Sequence, residues 1–333
     1  MDKQTVTIYD VAREAAVSMA TVSRVVNGNP NVKPATRQKV LDVIDQLDYR
    51  PNAVARGLAS KKTTTIGVII PDLTNSYFSE LARGIDDVAL MYKYNIILAS
   101  SDENHDKELQ VVDNLTAKQV DGIIFMGNQV SKDLRDAFNR ANAPIVFAGS
   151  VDPEHQSPSV NIDYVAAVTD AVAKLVGRGN RRIAFVTGSM DESINKDYRL
   201  KGYKQALSSK RIGYDEGLIF QTDYSYKAGY ALAKALQDVK ATAAFVGDDE
   251  LAAGVLNGLT DAGVKVPEDF EIITSNDTRF TEISRPTMSS ITQPLYDIGA
   301  VSMRLLTKLM NNEEIGDKTV VLPYGLKKRQ STK

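Results

Sequence analysis

The sequence predicts an α/β chain: a small all-α module at the N-terminus, then two lobes, each built on a parallel sheet. From Thr65 onward, short apolar, β-rich runs alternate with amphipathic stretches, the pattern of βα units on a parallel sheet. These units fall into two series, which implies two lobes. Residues 1–62 show helical stripes instead and carry net charge +4, against −6 for the remainder. With 333 residues and 43% hydrophobic side chains, the chain has length for about two domains and enough apolar content to exclude wholesale disorder.

Taken in order, Ile8, Val11, Ala12 and Ala15 share one helical face, and Ser18 can cap a second helix whose apolar side is Val22, Val25 and Val26. A tight turn, Ala16-Val17-Ser18, joins them. Asn27-Gly28-Asn29-Pro30 breaks the pattern, Pro34 suits a first helical turn, and Val40, Leu41, Ile44 and Leu47 mark a third helix. Arg50–Ala59 reads as a short helix, marginal by itself in water. Strands follow at Ile66–Ile70, Asn95–Ala99, Gly122–Met126 and Ile145–Ala148, with helices near 77–92, 107–118 and 132–142. The second series has strands at Ile183–Val186, Leu218–Phe220, Ala243–Val246 and Glu271–Thr274, with helices near 164–177, 197–210, 226–237 and 249–262. A last helix, Leu295–Met310, and a strand, Val320–Leu322, can return to the first lobe. The expected domains are 1–60, with 51–60 as hinge, and 61–333, whose first lobe is about 61–162 plus 293–324 and whose second is about 163–292.

Several classes are disfavoured. The chain has no cysteine, hence no disulfide framework, zinc-thiolate site or cysteine nucleophile, and its only histidines are His105 and His155. No P-loop, GxGxxG after a first strand or GxSxG elbow is present, so no catalytic residues, metal or cofactor are assigned. No apolar run can span a bilayer and no signal segment opens the chain, so the expected location is the cytoplasm.

The strongest functional signal is the helix pair Thr7–Asn27. A helix-turn-helix aims its second helix into the DNA major groove, here with Ser18, Met19, Ala20, Thr21, Ser23, Arg24 and Asn27. Arg24 can grip guanine bidentately, although an exposed arginine is also an ordinary solvated charge. Met19 and Ala20 can offer thymine methyl contacts but no hydrogen bonds, which leaves more of the specificity to Arg24 and to DNA shape.

The segments TIYDVAREAAVSMATVSRVVNG and VKPATRQKVLDVIDQLDYRPNAVARGLASKKT resemble the head and hinge of the lactose-repressor/galactose-repressor (LacI/GalR) family. IGVIIPDLTNSYFSELARGID, DGIIFMG, RLKGYKQAL, DDELAAGVLNGLTDAGVKVPEDFEI and SSITQP continue the likeness through nearly the whole chain. The resemblance implies a homodimeric regulator reading a palindromic operator on double-stranded DNA, with a core like periplasmic sugar-binding proteins: two Rossmann-like lobes about a cleft. It implies that hinge residues Asn52, Ala53, Arg56, Leu58 and Ala59 reach the minor groove, with Leu58 as the wedge that unstacks a base step. Packing of Leu58 between hinge and core is the alternative.

Arg199 matches the family's cleft arginine, and Asp72, Tyr77, Asp248, Asn276 and Asp277 line the implied effector cleft. Two departures stand out: Asp248-Asp249 where most members have Asn-Asp, and Ser275-Asn276-Asp277 where many have Phe-Asp-Asp. Arg199 therefore fits either a ligand contact or an ion pair with Asp248, Asp249 or Asp277. MYKYNIILASSD, KQVDGIIFMG and QPLYDIGAVSMRLLTKLMN are most like the members that govern carbon catabolite control. For those the implied corepressor is the phosphocarrier HPr phosphorylated on serine, contacted by Tyr92, Tyr94, Tyr296, Asp297 and Arg304. Arg304 is the implied phosphoserine ligand, since a guanidinium grips phosphate bidentately. A sugar phosphate, glucose phosphate or fructose bisphosphate, is the implied adjunct; a family repressor controlled by such a small molecule alone is the alternative.

Overall fold

A computed structural model describes residues 6–50, 62–127 and 129–333. The chain divides into two compact units, Met1–Thr63 and Thr64–Lys333.

In the first unit, α1 (Ile8–Glu14) starts where the Asp10 carboxylate accepts from Thr7 N and Oγ1 at 3.0 and 2.7 Å, which also lowers the Asp10 pKa. Ala16 takes a left-handed φ of 49°, and Val17 N donates to Ala12 O, turning the chain sharply. α2 (Met19–Val26) follows, with Ser18 Oγ accepting from Thr21 N at 3.2 Å. It ends before Gly28, whose φ of 70° favours glycine. α3 (Pro34–Gln46) closes over both, burying Val40 and Val43 against Val11, Ala12, Ala15, Val22 and Val25. Leu41, expected on the buried side, is 39% exposed. The true stripe is 40, 43, 44 and 47, and position 41 lies about 100° around the helix from 40.

The second unit is two lobes of parallel strands. The first sheet holds β1 (Thr65–Ile70), β2 (Asn95–Ser100), β3 (Gly122–Phe125), β4 (Ile145–Ala148) and β5 (Ser159–Ile162). The second holds β6 (Ile183–Thr187), β7 (Ile219–Gln221), β8 (Ala243–Val246), β9 (Glu271–Thr274) and β10 (Ser289–Thr292). The chain end supplies β11 (Thr319–Leu322) to the first sheet and β12 (Gly325–Lys327) to the second. The sheet orders are β11-β5-β4-β3-β1-β2 and β12-β10-β9-β8-β6-β7, the same doubly wound plan twice. Among the described strands only β12 runs antiparallel to its neighbour. β5, β10 and β12 are additions to the expected strands: their sequences, SVNI, SSIT and GLK, carry no sustained apolar run, and β5 and β10 bury serines where such a run would mark a strand. Ser289 is satisfied by Arg329 N and Thr332 Oγ1, both at 2.8 Å.

The layers are completed by α4 (Ser76–Met91), α5 (His105–Ala117), α6 (Lys132–Arg140), α7 (Tyr164–Gly177), α8 (Leu200–Ser209), α9 (Tyr226–Ala231), α10 (Ala233–Asp238), α11 (Asp249–Asp261), α12 (Arg279–Ile283) and α13 (Leu295–Met310). The helix expected near 226–237 is interrupted at Leu232, and the one near 197–210 opens with a π-helical turn, Ile194–Arg199. α13 returns to pack on α4, with backbones in near contact: a Cβ on Gly299 would lie 2.0 Å from Leu81 O, and one on Gly84 2.0 Å from Tyr296 O. α9 and α11 repeat this crossing in the second lobe through Gly229 and Gly254. Among the described residues no helix is long and apolar enough to cross a membrane.

Candidate functional site

In the head, the Ser18 cap fixes where α2 begins, so the residues after it emerge on one surface. Ser18, Met19, Ala20, Arg24 and Asn27 are exposed, while Thr21 and Ser23 are half-buried. Thr21 Oγ1 lies 2.9 Å from Ser18 Oγ, and Asn27 Nδ2 donates to Ser23 Oγ at 3.3 Å. Arg24 forms no ion pair among the described residues, leaving its guanidinium available to an external acceptor. Asn52, Ala53, Arg56, Leu58 and Ala59 lie outside the described residues.

In the core, residues that follow the carboxyl ends of strands in both sheets meet at the cleft, where open α/β sheets bind ligands. A cavity of about 40 Å³ there is lined by Tyr77 and Asn75 of the first lobe and by Arg199, Tyr224, Asp248 and Asn276 of the second, among others. That volume suits a few water molecules and is far below the roughly 300 Å³ or more of a small-molecule site. The π-helical turn delivers Arg199, 6% exposed, whose Nη1 donates to Asn195 Oδ1 at 3.1 Å and to Tyr224 Oη at 3.2 Å. Its guanidinium lies 5.8 Å from the Tyr164 ring centroid, and its Nε is buried with no hydrogen-bond partner. Arg199 makes no ion pair with Asp248, Asp249 or Asp277.

Asp248 caps α11, accepting from Glu250 N and Leu251 N at 2.9 and 3.1 Å, and also from Asn276 Nδ2. Burial, reinforced by the adjacent Asp249, pushes its pKa up to about 6. Asp249 ties β9 to its following loop, accepting from Thr274 Oγ1 and from the backbone N–H groups of Asn276 and Thr278. Two residues of the implied set lie off the cavity wall. Asp72 closes its own turn by accepting from Thr74 N at 2.8 Å, and Asp277 pairs with Arg329 at 2.6 Å. Tyr77 donates to Gly149 O at 2.9 Å.

On the first lobe, α13 presents Tyr296, Asp297 and Arg304 to solvent. Asp297 and Arg304, seven apart, fall on one side of the helix. Tyr296 Oη donates to Asp87 of α4 at 3.0 Å, joining the two helices beside their glycine crossing. Arg304 forms no ion pair among the described residues. Tyr92 caps the C-terminal end of α4 and is exposed, whereas Tyr94 packs its ring on the first-lobe core.

Residues 7–52 match the family described as bacterial regulatory proteins, lacI family, and residues 172–332 match a periplasmic binding protein-like domain. Over 329 residues the chain is 61% identical to catabolite control protein A of Streptococcus mutans, covering 99% of this chain and 98% of that protein. The chain belongs to the lacI family. Among solved lacI-family structures, it is similar to the transcription regulator CcpA of Lactococcus lactis, at 45% identity and TM-score 0.78 over 81% of this chain and 99% of that one. It is also similar to the lac repressor dimer bound to operator and the anti-inducer ONPF, at 27% identity and TM-score 0.89 over 99% of each chain. As a lacI-family member resembling catabolite control proteins along its length, the chain is a transcription regulator with a DNA-binding head, and not an enzyme.

Sequence reasoning on this lacI-family core missed Asn75, Glu103, Glu192 and Tyr224 on the cavity wall, and Asn195, which steadies Arg199. All but Asn195 sit in or just beyond loops that follow a strand's carboxyl end, and that position is the signal that could have found them.

Proposed function

We propose that this regulator is a homodimer that binds palindromic operators and is corepressed by HPr phosphorylated on serine, in the cytoplasm where operators are. The observation that carries the reading is Arg304: exposed, without an acidic partner among the described residues, and on the same side of α13 as Asp297. A guanidinium in that condition is poised to take a phosphate bidentately.

Operator recognition rests on Ser18, Met19, Ala20, Thr21, Ser23, Arg24 and Asn27 in the major groove, with Asn52, Ala53, Arg56, Leu58 and Ala59 as the minor-groove hinge. Dimerisation is supported by apolar surface at the end of α4 and on edge strand β2, where Leu90 and Met91 are 75% and 74% exposed and Leu98 is 38% exposed. Calorimetric titration with phosphorylated and unphosphorylated HPr tests the corepressor. The phosphorylated form binds the native chain, and Arg304→Ala loses that binding while keeping its basal operator affinity. Equal binding of both forms, or an unaffected Arg304→Ala, overturns the assignment.

A second reading, a sugar phosphate such as glucose phosphate or fructose bisphosphate in the cleft, is favoured by the buried, unpartnered Nε of Arg199. It requires the lobes to open well beyond the present cavity.

A further inference from the structure

Acidic side chains line the cleft from both lobes. The first lobe contributes Glu103 after β2 to the cavity wall and the second contributes Glu192 and Asp248, while Glu80 of α4 and Asp249 lie behind the wall. Glu80 lies within electrostatic reach of Asp249 and Asp277, and Glu103 within reach of Asp72 and Asp223, while Asn75 hydrogen-bonds Asp248 across the cleft. Among the described residues no salt bridge joins the lobes: Asp277 pairs with Arg329 and Lys327 of its own lobe, and Lys107 pairs with Asp102 of its own. Arg199, the buried cation on the cavity wall, is held by Asn195 and Tyr224.

A wider cavity of about 240 Å³ at the cleft mouth again has acids on both walls, Glu103 and Glu108 on one, beside His105, and Asp191 and Glu192 on the other. The mouth is also strained. Asp102 and Glu103 take successive left-handed φ values of 51° and 54°, a conformation uncommon for any non-glycine residue and rarer twice in succession.

We propose that lobe closure is coupled to proton uptake, so that the cleft closes as the pH falls and like-charge repulsion opens it as the facing carboxylates ionise. The titrating groups are positioned for this. Burial raises the pKa values of Glu80 and Glu103, further helped by neighbouring acids, and brings Asp248 to about 6 and Glu108 to about 7. Opening hydrates these groups and returns them toward ordinary values, so the closed state binds more protons. Its population therefore grows as the pH falls through the raised values.

The absence of native cysteine makes the test direct. Spin labels on Gln129→Cys and Ser189→Cys, whose parent residues line the mouth from opposite lobes, report lobe separation in the full-length chain. At fixed ionic strength, the short-distance population grows between about pH 8 and about pH 5.5. Combined Glu80→Gln, Glu103→Gln, Glu108→Gln and Asp248→Asn changes hold the labels at the short distance throughout. Asparagine keeps the capping geometry at 248, so the variant retains its fold. A separation independent of pH, or a pH response that survives the combined change, overturns the proposal. No HPr or DNA is present in this measurement, so failure of the corepressor reading leaves its outcome intact.

Discussion

Asp248 shows how one side chain holds competing roles. As the cap of α11 it satisfies two backbone N–H groups, and as a buried carboxylate beside Asp249 it incurs an electrostatic penalty whenever it is ionised. Its folded pKa, about 6, lies above the ordinary aspartate value, so the folded chain binds this proton more tightly than the unfolded chain does. Stability from this group is present at low pH and is lost as the pH rises toward and through about 6. Asp248→Asn removes the penalty and keeps the cap, so thermal unfolding at pH near 7.5 shifts upward and the pH dependence flattens. A lower melting temperature in the variant at that pH contradicts this account. Arg199 is the complementary case: sequence leaves ligand contact and ion pair both open, and the structure pairs it with none of Asp248, Asp249 and Asp277 and leaves its Nε without a hydrogen bond.

At the scale of elements, the α4–α13 pair determines whether the proposed corepressor face exists as a rigid surface. An alanine in a helix interior normally gains about 1 kcal/mol over glycine. At position 299 the added Cβ would lie 2.0 Å from Leu81 O, a backbone atom that cannot move without separating the helices. Gly299→Ala is therefore expected to destabilise the chain by about 1–3 kcal/mol in urea unfolding, reversing the sign that propensity alone predicts. The hinge is the other decisive element. Leu58→Ala is expected to weaken operator binding and reduce DNA bending while leaving the dimer intact, and unchanged bending contradicts the wedge role.

The long elements are legible in sequence because their periodicity is carried by buried aliphatic side chains; Leu295–Met310 coincides with its expected bounds. Short strands that bury serine, the π-helical turn before α8 and the interruption at Leu232 are not legible. Each is fixed by hydrogen bonds or packing between distant residues and leaves no local period. The same holds for the cleft. Arg199 and Tyr77 carry motif signals, whereas Glu103 and Tyr224 reach the cavity only through loop geometry.

For the whole molecule, charge is divided between two roles. A head of net +4 suits phosphate contacts, and a core of net −6 resists binding DNA elsewhere. A corepressor can act on such a molecule only through unequal affinity for two lobe arrangements, since a partner with equal affinity for both shifts nothing. In this account, phosphorylated HPr bound at Arg304 favours the arrangement in which paired hinges can fold, so part of their ordering cost is met before DNA arrives.

The most direct test is fluorescence anisotropy of a labelled palindromic operator, titrated with the chain alone, with unphosphorylated HPr and with serine-phosphorylated HPr. At fixed salt, the account predicts tightening only with the phosphorylated partner, and repetition at higher salt weakens binding steeply in every case. Clear binding by the chain alone, untouched by phosphorylated HPr, would contradict corepression and return control to the Arg199 cleft.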